Sequence, residues 1–192
     1  MITKNALIMR DIDLLQEMAK ENLCMVYLSI NSLNEQLRRV MEPRTATARQ
    51  RLKTLEALSE AGIPTGVMVA PLIPGLSDHE IPAVLKAVAG AGATRAGYTI
   101  VRLNGAIGAI FEDWLKKNFP DRFEKVWHAI QSCHNGKVND SQFGARMHGD
   151  GNIAKLIRDN FALHCKLNHL NEQPITLNRD AFRVPTAQTS LF

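Results

Sequence analysis

The chain opens on a short apolar pair, Ile2 and Thr3, and then alternates between two kinds of pattern. Segments rich in β-branched and apolar residues recur at Met25 to Ile30, Thr65 to Pro71 and Gly97 to Leu103. They read as strands, and the runs VYLSI and TGVMVAP are apolar at nearly every position, as strands covered on both faces are. The intervening stretches have helical spacing. Residues 11–20 place Ile12, Leu15 and Met18 or Ala19 on one face, with Asp11 or Asp13 available as an N-cap. Residues 47–61 repeat this with Ala48, Leu52, Leu55 and Leu58, and Gly62 stands where helices end in a left-handed residue. Ser77 and Glu80 have capping-box spacing ahead of Ile81, Val84, Leu85 and Val88. Strand alternating with helix at this rhythm predicts βαβ units and a parallel sheet.

After Leu103 the strand signals stop. Helical patterns follow at Ile107 to Asn118, Asp121 to Cys133 and Asn152 to Asn168, with Trp114, Phe119, Phe123 and Trp127 read as core. Residues 171–192 are polar and contain proline, which predicts an extended tail anchored by Phe182 or Phe192. The expected architecture is α/β: a partial, TIM-like (βα) barrel over residues 1–105, roughly its last three to four strands, a helical extension over 106–170, and the tail. A closed barrel of eight βα units takes ~250 residues, and the first strand signal begins at the first residue. The chain is therefore expected to be a fragment of a longer protein, or to pair its open sheet edge with another copy.

Composition narrows this picture only modestly. With 192 residues, 45% of them hydrophobic, the chain can bury one ordinary core. No run of ~20 apolar residues and no secretory layout is found, so a soluble, cytoplasmic protein with no membrane partner is expected. Cys24, Cys133 and Cys165 are odd in number and widely spaced, and read as free thiols. The net charge of +4 decides nothing by itself, and the basic stretch from Arg38 to Lys53 reads mostly as a solvated helix face.

In parallel α/β proteins ligands bind at the carboxyl ends of strands. Lys4 and Asn5, Ser29 and Asn31, Pro71 to Pro74, and Arg102 with Asn104 fall there. Lys4 fits a compact charge for a carboxylate or phosphate, a Schiff-base amine, or an exposed residue starting a loop. Ser29 fits a donor to a ribose or carboxylate, or a serine bonded to backbone. Glu42 and Arg51 fit a ligand-directed guanidinium or a helix-surface ion pair. The loop APLIPGL, from Ala70 to Leu76, is rigid and largely apolar, suited to a flat ring or to a plain βα connection. FGARMHGDG, with Gly144, Gly149 and Gly151 around Arg146, fits an anion-binding or substrate-facing turn. The scattered histidines and the pairs Cys133-His134 and His164-Cys165 assemble no metal site.

The segments ITKN, RD before a helix, YLSINS, MEPRTATARQRL, AGIPTGVMVAPLIPGLSD and GARMHGDG, in this order, resemble the latter part of radical S-adenosylmethionine (SAM) proteins related to spore photoproduct lyase. The resemblance implies that Lys4 pairs with the methionyl carboxylate of SAM and that Ser29 contacts a polar group of the nucleoside or methionyl part. It further implies that Pro71 and Ile73 lie against adenine, with Asn31 and Arg51 completing the cofactor-binding set. It implies a 4Fe-4S cluster and reductive cleavage of SAM to a 5'-deoxyadenosyl radical, by a lyase-like enzyme of unknown substrate. Nucleic acid is a candidate partner, since the relative repairs DNA. The CxxxCxxC loop that holds such a cluster is absent from these 192 residues. The chain is thus expected to be the C-terminal portion of such an enzyme, inactive by itself. Two other readings are a non-catalytic module pairing through an open sheet edge, and part of an aldolase-like barrel with Lys4 as nucleophile.

Overall fold

The computed structural model describes residues 1–139 and 146–181. Expectations for Gly144, Phe182 and Phe192 lie outside these residues. Four strands form one parallel sheet in sequence order: β1 (Ile2–Thr3), β2 (Val26–Ser29), β3 (Thr65–Leu72) and β4 (Arg95–Ile100). The crossovers carry α1 (Ile12–Lys20), then α2 (Glu35–Met41) and α3 (Ala48–Glu60), then α4 (Ile81–Gly90). Beyond β4 come α5 (Ile107–Asn118), α6 (Phe123–Cys133) and α7 (Gly151–Leu167). This is an α/β fold compatible with a partial βα barrel.

The strands are not covered equally on both faces. Val26, Leu28, Ile30, Val67, Val69 and Ile100 are sealed beneath the helices, whereas Tyr27, Met68 and Thr99 on the opposite face are half-buried. Apolar composition alone hid that difference, because Tyr, Met and Thr suit a half-open face as well as a closed one. A second core lies past the strand ends, where Leu37, Ile73, Leu76, Val101 and Leu103 meet Leu115, Val126 and Ile130 of α5 and α6. Trp114, Phe119, Phe123 and Trp127 pack against it as expected, and the Trp114 indole N–H donates to the Val40 carbonyl at 2.9 Å.

The helix starts are capped in different ways. Thr47 and Gln50 form a reciprocal capping box on α3. Ser77 and Glu80 do not: the Ser77 hydroxyl accepts the Ile73 N–H at 3.0 Å, and Glu80 leaves its helix to staple the loop after β2. Its carboxylate accepts from the Ser32 hydroxyl at 2.6 Å and from the backbone N–H groups of Leu33 and Asn34 at 2.8 and 3.2 Å. Asp11 likewise pairs with Arg10 instead of capping α1. Helix α2 was not expected. It is short, buries only Leu37, and starts because the Asn34 side chain accepts from the N–H groups of Gln36 and Leu37.

The two sheet edges differ. On β4, the Asn171 amide imitates a neighbouring strand, donating to the Ala96 carbonyl at 2.9 Å and accepting the Ala96 N–H at 3.0 Å. The Met147 carbonyl takes the Ile100 N–H further along. Edge strand β1 pairs with β2, and Ile2 is 67% exposed. Replacing Asn171 with alanine removes both side-chain bonds and leaves a residue at φ 65° that alanine tolerates poorly. The expected loss is about 1–3 kcal/mol by denaturant unfolding, together with faster hydrogen exchange at Ala96.

Candidate cofactor-binding site

The carboxyl ends of β1 and β2 meet at one buried guanidinium. Arg51, on the first turns of α3, is 2% exposed and donates to four acceptors. Nε bonds the Ala46 carbonyl at 2.9 Å and Nη1 the Ser29 carbonyl at 2.6 Å. Nη2 bonds Glu42 Oε2 at 2.8 Å and Thr45 Oγ1 at 2.6 Å. The other Glu42 oxygen accepts from the Lys4 ammonium just after β1. Burial pushes the Glu42 carboxyl up, but the hydrogen bonds from Lys4 and Arg51, with their charges, outweigh it and hold the group below the usual carboxylate range.

This geometry sorts the expected ligand set. Lys4 keeps a side chain 41% exposed, with one contact on Glu42, and remains able to meet a second anion. A Schiff-base role needs an amine released from that carboxylate. Ser29 is buried and its carbonyl is committed to Arg51. Arg51, expected among the cofactor contacts, is walled in by protein acceptors, so it positions Ser29 and Glu42 and does not face a ligand. It is also neither a surface ion-pair partner nor part of a solvated basic face, although Arg39, Arg44, Arg49 and Lys53 are exposed. Asn31 is 4% exposed, and its amide nitrogen is buried without a hydrogen-bond partner. Pro71, after a cis peptide, is half-buried on the neighbouring strand. Ile73, expected against a flat ring, is fully buried in the second core, because the chain turns inward after Leu72.

At the end of β4, Arg102 Nε is buried without a partner and Nη1 lies 3.7 Å from the Met147 sulfur. The described part of the glycine-rich motif is a structural clamp. A Cβ on Gly149 would lie 2.8 Å from the Cys133 carbonyl, and one on Gly151 2.9 Å from that of Ser132. Asp150 bonds the Cys133 carbonyl through its N–H and caps α7 with its side chain. The residues missed by sequence reasoning are Thr45 and Glu80. Thr45 meets Arg51 of α3 and Glu80 meets the loop after β2, pairings that spacing alone does not reveal.

The cysteines do not fit an iron-sulfur cluster. All three are buried, and Cys133 and Cys165 are pushed up to about 11 by burial, which favours the thiol over the thiolate that ligation requires. Among the described residues no group of three or more His, Cys, Asp or Glu is arranged to hold a metal ion. Nor is any helix among them long and apolar enough to cross a membrane.

Arg51→Met strands Glu42 and the Ser29 carbonyl, and a loss of about 3–5 kcal/mol is expected, while exposed Arg49→Met stays within about 0.5 kcal/mol. Both are read by urea unfolding. Because the folded Glu42 carboxyl titrates below its unfolded value, its contribution is complete above the unfolded value and fades as pH falls through the folded one. Thermal midpoints measured against pH should therefore show an acid limb that is flatter in Glu42→Gln.

Residues 1–88 match the family model described as the Radical SAM superfamily. An uncharacterized protein of Mycobacterium tuberculosis is 33% identical over 122 residues, 62% of this chain and 36% of that protein. An uncharacterized protein of Methanocaldococcus jannaschii is 28% identical over 128 residues, 65% of this chain and 45% of its own length. One from Acidianus two-tailed virus is 36% identical over 72 residues, 38% of this chain and 23% of that protein. The matched region thus spans less than half of each of these relatives, and the part of the chain that matches the family model holds the strands and helix that carry Lys4, Ser29 and Arg51.

Proposed function

We propose that this chain supplies the SAM-binding wall of a radical SAM barrel of the spore photoproduct lyase type. The observation that carries the reading is the buried, unpartnered amide nitrogen of Asn31 at the end of β2. An orphaned buried donor costs about 1–3 kcal/mol unless something accepts from it. Lys4 stands at the end of the adjacent strand with capacity for a carboxylate, and half-buried Pro71 offers an apolar surface one strand further on. Lys4 would hold the methionyl carboxylate, Asn31 an acceptor on the nucleoside or methionyl part, and Pro71 one face of the base. The Radical SAM match over residues 1–88 and the order of the motifs support this assignment.

The family's reaction is one-electron cleavage of SAM by a 4Fe-4S cluster, and these cysteines do not fit that cluster. The role proposed for the chain therefore stops at gripping and orienting SAM. Arg51 contributes by fixing the Ser29 carbonyl and, through Glu42, the direction of Lys4.

Isothermal titration of the 192-residue chain with SAM tests this. Binding is expected, weakened about three- to tenfold by Asn31→Ala and about tenfold by Lys4→Ala. Absence of binding, or affinity undiminished from the parent in both variants, removes the proposal. The exposed β1 edge, with Met1 60% and Ile2 67% exposed, favours a second reading as a module that pairs through its sheet. A concentration-dependent dimer that ignores SAM would select that reading.

A further inference from the structure

Tyr98 on β4 packs its ring against Phe161 of α7, with centroids 4.6 Å apart, and meets His148 edge-on at 5.0 Å. The residue is 7% exposed, and its hydroxyl is buried without a hydrogen-bond partner. Phenylalanine would fill the same volume without the cost of an orphaned hydroxyl. The oxygen therefore calls for a partner that the protein itself does not supply.

Between β4 and α7 lies a cavity of about 420 Å³ lined by Tyr98, Arg158, Phe161, Cys165, Lys166 and Leu170, among others. That volume is within the range of small-molecule sites. Its walls are of two kinds. Phe161, Cys165 and Leu170 are buried and apolar, and burial pushes the Cys165 thiol up to about 11. Arg158 and Lys166 are exposed cations on α7, and neither is in a salt bridge among the described residues. Glu172, also on the wall, is held by His169 at 2.7 Å. Burial raises the Tyr98 phenol, Arg158 opposes that rise, and Asp159 and Cys133 add to it.

We infer that this cavity is a binding site for a small oxyanion carried on an apolar, flat body, separate from the strand-end site. The oxyanion accepts the Tyr98 O–H and lies under Arg158 and Lys166, while the body packs on Phe161 and Leu170. Arg158 and Lys166 supply the charge that meets the oxyanion, with Glu172 engaged by His169 on the same wall, and the apolar floor gives no hold to inorganic phosphate alone.

The chain contains two tyrosines, which makes a direct test simple. Tyr27 lies on the half-open face of the sheet, over Gly66, and serves as the internal control. The full chain labelled with 3-fluorotyrosine gives two fluorine signals, assigned with Tyr98→Phe. Titration with benzoate and with phenyl phosphate is expected to shift the Tyr98 signal saturably with at least one of them and leave Tyr27 unmoved. The tighter of the two identifies the headgroup. Ligand-observed NMR should show about tenfold weaker binding in Tyr98→Phe and in Arg158→Gln, with thermal midpoints no lower than that of the parent. No saturable shift with either anion, an equal response to neutral benzyl alcohol, or undiminished affinity in both variants would overturn the assignment.

Discussion

A guanidinium cannot be taken out of water unless its N–H groups are met by acceptors of the right number and direction, and Arg51 imposes that condition on everything around it. Its four acceptors come from the end of β2, the approach to α3, and the irregular link between α2 and α3. Residues 42–46 have no ladder of their own, so this requirement is what selects their conformation. Glu42, once drawn in, is itself buried and needs a second cation, which the residue after β1 provides. The ends of two strands are thereby locked in relative position by one charge and its counter-charges. Glu42 joins the two cations, so its loss leaves the buried Arg51 guanidinium without its counter-charge and Lys4 without its partner.

The strand ends consequently divide into two halves of different character. Toward β1 and β2 stand Lys4, Asn31 and the Glu42 carboxylate. Toward β3 and β4, Ile73, Val101 and Leu103 are roofed by Leu115, Val126 and Ile130, with the Arg102 guanidinium as the charged group after β4. A ligand lying across this end meets cationic and amide donors at one side and the half-buried Pro71 toward the other. That division suits a molecule with a charged amino-acid end and a flat base, and it is the physical content of the proposed SAM role.

How much of this could be read from the chain follows from the range of each interaction. The parallel sheet and the boundaries of α5 were legible, since each depends on plain periodicity. The place of Lys4 and Asn31 just after strands was legible too. Arg51 was flagged for a ligand contact it does not make, because nothing local separates it from exposed Arg49 or Arg44, and only acceptors brought from Ser29 and Glu42 bury it. Glu80 fits a capping box by spacing, yet three donors from Ser32 to Asn34 outcompete that local bond. Ile73 reads as a loop residue until the second core, assembled from helices some forty residues later, closes over it.

Hydrogen-bond accounting then separates what is structural from what is not. Backbone groups that a fold leaves open are here met deliberately: Asn34 and Asp150 at helix starts, Glu80 under the loop after β2, Asn171 along the edge of β4. A chain that supplies such partners at so many exposed positions has no evident structural reason to bury an amide nitrogen and a phenol without any. Asn31, beyond the end of β2, and Tyr98, beneath α7, share that state with Arg102, His134 and Asn139 among the described residues. Asn31 and Tyr98 each have an apolar isostere or near-isostere that would pack as well, so folding alone does not account for the polar atom. The polar atom is accounted for if the group that satisfies it arrives from outside the chain, and the differing surroundings of the two residues, a lysine-bearing strand end and an aromatic cavity rimmed by cations, assign them different ligands.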